Sequence, residues 1–453
     1  MSVYSNVGIS AIEVYFPTRR VKQEDFEEAD KRSKGNYTIG LGQIKMAFTG
    51  PEEDVISFSK TVVQRLLEKN AVDIQKVGRI EVGTETIVDH SKSIKTYLME
   101  HFLGNPFIEG CDTYNACYGA TSALFNAVDY TRLYGKYSIV VASDIAIYGG
   151  PSLDARHTGG AGAVAMLITP NAPLVVDLDR KVMSAHVYDF HKPNTSIEFP
   201  YVEGKLSTDC YLQALALTHQ GIKQLHSSQG KTFSMSNYDY QIFHAPFNKM
   251  IMKAHAFLTQ LDADQTKTDP TTDLSTIVIP DPKSMTELVK QTKQSFDEKV
   301  GPSTLVPRLI GNSYTATLFM SLASILHTEP EEKLNGKSVF CFSYGSGLIA
   351  AIWSVKINKG SDEFPLSKLI HNLSNIQTLL DSEIVTTVPE FEAVMKARED
   401  QLNLTHQPFN KNSPQPKDAL IYATENPGPV IGSGVFYLKE ITHDLRRTYV
   451  RKE

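Results

Sequence analysis

Short apolar runs alternate with amphipathic stretches along almost the whole chain. Strands are predicted at 7–16, 79–82, 137–142, 163–168, 240–243, 338–342 and 348–355, and helical periodicity covers 55–69 and 121–134. Short apolar segments separated by helices argue for a mixed or mostly parallel sheet covered on both faces. Within this pattern a set of parts recurs. In the first half a small-residue helix (120–134), Gly135-Lys136, a strand (137–142) and a glycine turn, Gly160-Ala-Gly162, lead into Ala163-Val-Ala-Met-Leu-Ile168. In the second, a small-residue helix (315–326), Gly336-Lys337, a strand (338–342) and the turn Gly345-Ser-Gly347 lead into Leu348-Ile-Ala-Ala-Ile-Trp353. The runs 78–85 and 240–244 add a third match, each a strand that ends on a titratable group. Three matches in one order predict a duplicated α/β unit, 1–170 and 171–453. Residues 171–235 read as an insertion, and their stretch 186–207, rich in aromatics, prolines and charges, suits a loop over a site. Residues 261–300 read as surface helices and a linker. The tail offers a helix (389–402), a Pro/Asn-rich loop and a final apolar segment (432–438), more packing than catalysis.

With 453 residues, 41% of them hydrophobic, the chain can bury a large core. Its net charge of -6 is dispersed, so neither a nucleic-acid-binding run nor an acidic tail is signalled. No apolar stretch reaches the ~18 residues of a membrane span. The opening residues 1–6 run almost directly into the apolar pattern, which leaves no room for a signal or transit segment and sets a cytoplasmic expectation. Cys111, Cys117, Cys210 and Cys341 form no C-x-x-C pair, so neither a metal site nor a redox dithiol is expected, and so few cysteines fit a reducing compartment.

Cys117 is the cysteine with chemical potential. A helix begins just after it, and the unpaired N–H groups and positive dipole end there favour a thiolate and can hold an oxyanion. Taken alone it fits a buried structural cysteine better, as Cys111, Cys210 and Cys341 are read, and the small neighbours Gly119, Ala120, Thr121 and Ser122, which admit close approach, shift that reading. Glu85 follows a strand beside Gly83, where a half-desolvated carboxylate can act as a general base, although capping acids also sit there. His244 ends another strand, a position shared by many packed histidines. Lys249 and Lys253, four apart on the following helix, share a face that can meet phosphates or simply solvent. The glycine runs 159–162 and 345–347 lack the spacing of a nucleotide-binding loop. A cysteine, a carboxylate and an imidazole at strand ends of one repeated scaffold say more together than any one alone.

Seven segments carry a resemblance: Tyr37-Thr-Ile-Gly-Leu-Gly-Gln43, Glu81-Val-Gly-Thr-Glu-Thr86, Asn115-Ala-Cys-Tyr-Gly119, Thr158-Gly-Gly-Ala-Gly-Ala-Val-Ala165, Tyr188-Asp-Phe190, Gly311-Asn312 and Phe342-Ser-Tyr-Gly-Ser-Gly-Leu348. Together they resemble the eukaryotic hydroxymethylglutaryl-CoA synthases, from about residue 7 to the C-terminus. The resemblance implies a duplicated, five-layered αβαβα thiolase fold, usually a homodimer. It also implies condensation of acetyl-CoA with acetoacetyl-CoA through an acetyl-cysteine, in the mevalonate route to sterols and isoprenoids, with no metal or redox cofactor. In those terms Cys117 matches the acyl carrier, Glu85 the general acid/base and His244 the residue that orients acetoacetyl-CoA. Tyr118, Asp144 and Asp189 match supporting groups. Lys34, Asn36, Thr158, Ser207, Lys249, Lys253, Asn312 and Ser346 match substrate-binding positions.

Departures from the family pattern are Asn36, Ala120, Ser143, His157, Ala245, Asn248 and Ser313. They leave a catalytically weakened CoA-binding paralogue as one alternative. Another thiolase-fold condensing enzyme is a second, although such enzymes pair the cysteine with histidines where this chain has Glu85. A Cys–His hydrolase, which needs no second acyl-CoA, is a third.

Overall fold

The computed structural model describes residues 4–264, 273–406 and 418–453. The expected Pro/Asn-rich loop at 407–417, residues 265–272 of the polar region and residues 1–3 lie outside the described residues.

The first half supplies β1 (Gly8–Tyr15), α1 (Val55–Asn70), β2 (Val77–Gly83), the short β3 (Asp112–Thr113), α2 (Gly119–Tyr134), β4 (Tyr137–Ala146) and β5 (Gly160–Thr169). Next come β6 (Leu174–Val176), β7 (Lys181–Ser184), the hairpin β8 (Phe190–His191) and β9 (Tyr201–Val202), and α3 (Gly204–Ser228). The second half continues with β10 (Tyr240–Phe243), α4 (Asn248–Ala263), α5 (Thr317–Thr328), β11 (Ser338–Gly345) and β12 (Ile349–Ile357). One sheet runs β10-β11-β12-β6-β1-β5-β4-β2-β3, with β7 also paired to β12. The two wings mirror each other. β2 lies parallel to β4, which is antiparallel to β5, as β10 lies parallel to β11, which is antiparallel to β12.

Alternation along the strands builds the layers, because successive side chains point to opposite faces. In β4, Val140 and Ala142 join an inner core with residues of α2 and α5, while Ile139 and Val141 face α1. In β11, Val339 and Cys341 join the same inner core, while Phe340 and Phe342 face α3 and α4. Helices therefore lie outside each wing and α2 and α5 lie between them, giving five layers. β5 is apolar up to its last residue, Thr169, and buried at every residue, as a strand covered on both faces requires.

Two expectations change here. The run 160–162, read as a turn, opens β5, and Gly160 pairs across to Gly311 in the other half. A Cβ on Gly160 would fall 2.6 Å from the carbonyl oxygen of Asn312, and one on Gly311 2.0 Å from that of Gly159, so the glycines serve backbone contact between halves. The stretch 171–235 carries β6, β7 and the 25-residue α3, whose buried face includes Tyr211, Leu212 and Leu215. The residue pattern does not reveal β6 and β7, because they are short pieces that share one side of β12 rather than one long strand. The hairpin β8–β9 and the first turns of α3 are the parts of that stretch that reach the site. Cys111 is exposed beside the edge strand rather than packed, whereas Cys210 and Cys341 are buried.

Candidate active site

Where the wings meet, an inner cavity of about 190 Å³ is lined from both halves. Cys117, Tyr148 and Thr158 come from the first half; Ser207, Tyr211, His244, Asn312, Tyr314, Tyr344 and Ser346 come from the second. A larger groove of about 900 Å³ between β7 and α3 contains none of the proposed catalytic groups.

Cys117 precedes the first turn of α2, as the sequence implied. Its carboxylate partner is Glu85, with Sγ 3.9 Å from Oε2, at the outer range of a thiol hydrogen bond. The expected stabilised thiolate is not what the surroundings favour. Burial, then the negative charges of Glu85 and Asp144, push the thiol well above its usual range. The half-charge of a helix end does not outweigh desolvation together with two nearby carboxylates. Cys117 therefore rests as a thiol, and any reaction at its sulfur requires a neighbour to take that proton.

Glu85 follows β2, where Thr84 extends the parallel pairing by donating its N–H to Thr113 at 3.2 Å. Asp144, at the buried end of β4, then fixes the carrier segment. Its Oδ1 accepts the Glu85 N–H at 2.8 Å, the Thr86 N–H at 3.1 Å and both threonine hydroxyls at 2.9 Å. Its Oδ2 accepts the Thr315 N–H at 3.1 Å, from the segment that leads into α5. Asp144 thus ties the carboxylate loop of one half to a helix start of the other. Burial, and next the charge of Glu85, push it up to about 7. Burial also raises Glu85, against the opposing pull of the Lys192 ammonium 3.0 Å away.

His244 follows β10, and its N–H continues the parallel ladder to Phe342 at 2.8 Å. Tyr211 donates its hydroxyl to the His244 carbonyl at 2.7 Å. Burial lowers the imidazole to about 3, so it is neutral at ordinary pH, and its buried Nδ1 has no protein partner. A neutral imidazole facing a cavity orients a substrate oxygen rather than supplying positive charge.

Asp189 is buried and shapes the far wall. It accepts the Tyr344 hydroxyl at 2.7 Å and the Gly347 N–H at 2.8 Å, fixing the turn that presents Ser346. Asn115 donates to the Ser346 carbonyl at 3.1 Å, so this turn rests on the loop of Cys117. A Cβ on Gly345 would lie 2.6 Å from the Tyr118 nitrogen, and that contact needs glycine. Asn312 is fixed through its Oδ1, which accepts from Tyr314 N–H at 2.9 Å and Thr317 Oγ1 at 3.1 Å.

The predicted positions therefore separate into groups. Cys117, His244, Thr158, Ser207, Asn312 and Ser346 line the cavity, with Glu85 against the thiol and Asp144 and Asp189 behind the walls. Tyr118 does not reach it; its ring is buried in the inner core with Ala123 and Leu124, because its side chain points inward from the helix start. Lys249 and Lys253 stand outside, on the α4 turn whose neighbours Phe247 and Met250 line the cavity. Lys34 and Asn36 are exposed on a loop that reaches α4 further along, where the Lys249 N–H donates to Leu41 at 2.8 Å. None of the seven departures from the family pattern lines the cavity. Ala120 is buried in the inner core, and His157 stacks on Tyr37 at 3.7 Å.

Sequence reasoning missed Lys192, Tyr148, Tyr211, Tyr314 and Tyr344. Lys192 stands two residues beyond the motif Tyr188-Asp-Phe190, in the stretch read as a loop over a site, and that position was its only signal. Tyr314 adopts a left-handed backbone (φ 44°) before α5, as Ala116 does (φ 43°) before α2. That correspondence is invisible in side-chain types.

Comparison with known proteins bears on the family and the fold. Residues 3–173 match the family described as hydroxymethylglutaryl-coenzyme A synthase N terminal, and residues 175–452 match its C-terminal counterpart. The chain is 39% identical to hydroxymethylglutaryl-CoA synthase B of Dictyostelium discoideum over 100% of its length and 98% of the relative's. It is also 39% identical to the mitochondrial hydroxymethylglutaryl-CoA synthase of Homo sapiens, over 99% and 89%. Among solved structures, MvaS in complex with 3-hydroxy-3-methylglutaryl coenzyme A superposes with a TM-score of 0.80 at 30% identity, covering 100% of both chains.

Proposed function

The chain belongs to the hydroxymethylglutaryl-CoA synthase family, and we propose on that premise that it condenses acetyl-CoA with acetoacetyl-CoA and water to give 3-hydroxy-3-methylglutaryl-CoA and CoA. The observation that carries this reading is one cavity with Cys117 and Glu85 3.9 Å apart on one side and a neutral His244 on the other. In the first step the Cys117 sulfur attacks the acetyl carbonyl carbon, its proton passes to Glu85, and CoA leaves as a thiol with that proton. In the second, Glu85 takes a proton from the acetyl methyl, and the resulting carbanion attacks the ketone carbon of acetoacetyl-CoA. His244 hydrogen-bonds the ketone oxygen as negative charge gathers there, and the alkoxide is protonated from Glu85. Water then hydrolyses the Cys117 thioester. A thioester, a carboxylate and an imidazole suffice for these steps, so we propose chemistry without a metal or redox cofactor.

The cavity is small enough to admit acyl chains and exclude a nucleotide, which supports our reading of Lys249, Lys253 and the loop of Lys34 and Asn36 as the CoA contacts outside it. The departures from the family pattern all lie off the cavity, which favours a working enzyme over a weakened paralogue. We also read the chain as a duplication with its break near residue 170, supported by the mirrored strand order. The sheet ends at β3, flanked by Phe107 and Tyr114, which are 84% and 69% exposed. A second copy covering that edge makes a homodimer, which light scattering tests. Among the described residues no helix is long and apolar enough to cross a membrane. Free cysteines support a reducing compartment, and we place the protein in the cytoplasm, in the mevalonate route to isoprenoids; fluorescent tagging separates this from mitochondria.

Brief incubation with acetyl-CoA, followed by peptide mass spectrometry, should find acetyl on the Cys117 peptide. A chase with acetoacetyl-CoA should remove it and release 3-hydroxy-3-methylglutaryl-CoA. Free acetate without condensation would replace the reading with a hydrolase.

A further inference from the structure

Glu85 belongs to the first half, yet the cation that meets it comes from the second. Lys192 follows β8 in the hairpin that crosses the site, and its Nζ lies 3.0 Å from Glu85 Oε1. The Glu85 side chain is only 6% exposed, and among the described residues Lys192 is its sole ion-pair partner. The ammonium also sits 4.4 Å from the centre of the Tyr314 ring, a cation–π contact that holds it independently of the carboxylate. The lysine is therefore anchored at two points and the two oxygens of Glu85 are divided. Oε1 faces Lys192 and Oε2 faces the Cys117 thiol.

The other charges around the site make this cation decisive. Asp144 lies behind the Glu85 amide, and Asp189 lies on the opposite wall. The remaining facing groups, Cys117, His244, Tyr148 and Tyr314, are held neutral by burial. Among the described residues, Lys192 is thus a single cation facing three carboxyl groups. An opposite charge in direct contact shifts a carboxyl by roughly one to three pH units, so removing it leaves a desolvated Glu85 that keeps its proton.

We propose that Lys192 is a positioning residue that holds Glu85 ionised and turned towards Cys117, ready to accept a proton before either substrate binds. The inference rests on Glu85 acting as the base in the reaction proposed above. When Glu85 takes a proton, the ammonium loses its counter-charge but stays on the Tyr314 ring, where it favours return of that proton.

The test compares Lys192→Met, which keeps the apolar stem, with Lys192→Arg, which keeps the charge. Protonation of Glu85 is followed directly by pH-difference infrared spectroscopy, assigned by subtracting the Glu85→Gln protein, and product formation is measured across the same pH range. In Lys192→Met the Glu85 midpoint and the acid limb of the rate should both rise by about one pH unit or more, so that at a pH below both midpoints the rate falls roughly tenfold or more. Lys192→Arg should restore most of both, and KM for acetyl-CoA should stay within a few-fold. A Glu85 midpoint unchanged in Lys192→Met, or a rate loss equal at every pH, would overturn the proposal. A shifted midpoint in a protein that makes no 3-hydroxy-3-methylglutaryl-CoA would keep the charge coupling and remove the reaction assigned to it.

Discussion

The two wings of the sheet present the same backbone positions to the cavity and give them opposite electrical characters. β2 and β10 are corresponding strands, each parallel to its neighbour, and each ends just before a titratable group. On the first wing that group is Glu85, set against a thiol, braced by a buried carboxylate and matched to an ammonium. On the second it is His244, buried, uncharged and without a partner at Nδ1. The helix starts differ likewise, since Cys117 precedes α2 while Asn312 and Tyr314 precede α5. A repeated frame therefore supplies position, and local burial and charge supply role. In the proposed reaction, proton transfer belongs to the first wing and orientation of a polar oxygen to the second.

The sharpest break of that division is removal of the nucleophile. Cys117→Ala should abolish the acetyl-peptide signal and cut turnover by about 10⁴-fold or more, measured by mass spectrometry and product release. Next comes the base: Glu85→Ala should accept acetyl more slowly, because the Cys117 proton loses its acceptor, and should condense about 10³-fold more slowly. Condensation at the normal rate in that variant would remove the base assignment from the first wing. On the second wing His244→Ala should lose about 10²-fold, within the range for one hydrogen-bonding group. The acid limb of its pH–rate profile should not move between pH 4 and 7, because His244 does not charge until about 3. A moved limb would make His244 a proton carrier and erase the contrast between the wings.

Asp144→Asn keeps acceptor capacity on the segment of Glu85 but removes a charge, and about tenfold loss of condensation is expected, with acetylation less affected. The smallest effect concerns stability. Burial lowers His157 to about 4, whereas an unfolded histidine titrates near 6.5. Between those values the unfolded chain binds the extra proton, so the His157 contribution to stability falls as pH drops from about 6.5 to 4. Replacing it in His157→Gln should flatten the stability–pH slope in that window by at most about 1.4 kcal/mol per pH unit, read from urea unfolding. An unchanged slope would mean that the stack on Tyr37 does not exclude water from the ring.

Much of the wing structure was legible in the residue pattern. The run 240–243 is a strand at those bounds, and 55–69 and 121–134 became helices extended by one or two residues. Local periodicity carries such elements because one strand face or helix stripe must be buried. The same logic failed at 160–162, where glycines chosen for contact with the backbone at Asn312 look like a turn. It also failed at 171–184, where one sheet position is shared by two short strands.

Cys117, Glu85 and His244 were candidates from pattern because each stands at the end of an element, and the family resemblance singled them out. What the sequence by itself determined was therefore the order of the elements, their repetition and the chemical types brought to strand ends. Tertiary structure alone decided the charge state of those types. The proton on Cys117, the neutrality of His244 and the pairing of Glu85 with a lysine 107 positions later in the chain depend on which groups are desolvated together. Desolvation and Coulomb interaction act through space across both halves, and no local pattern of residues records them.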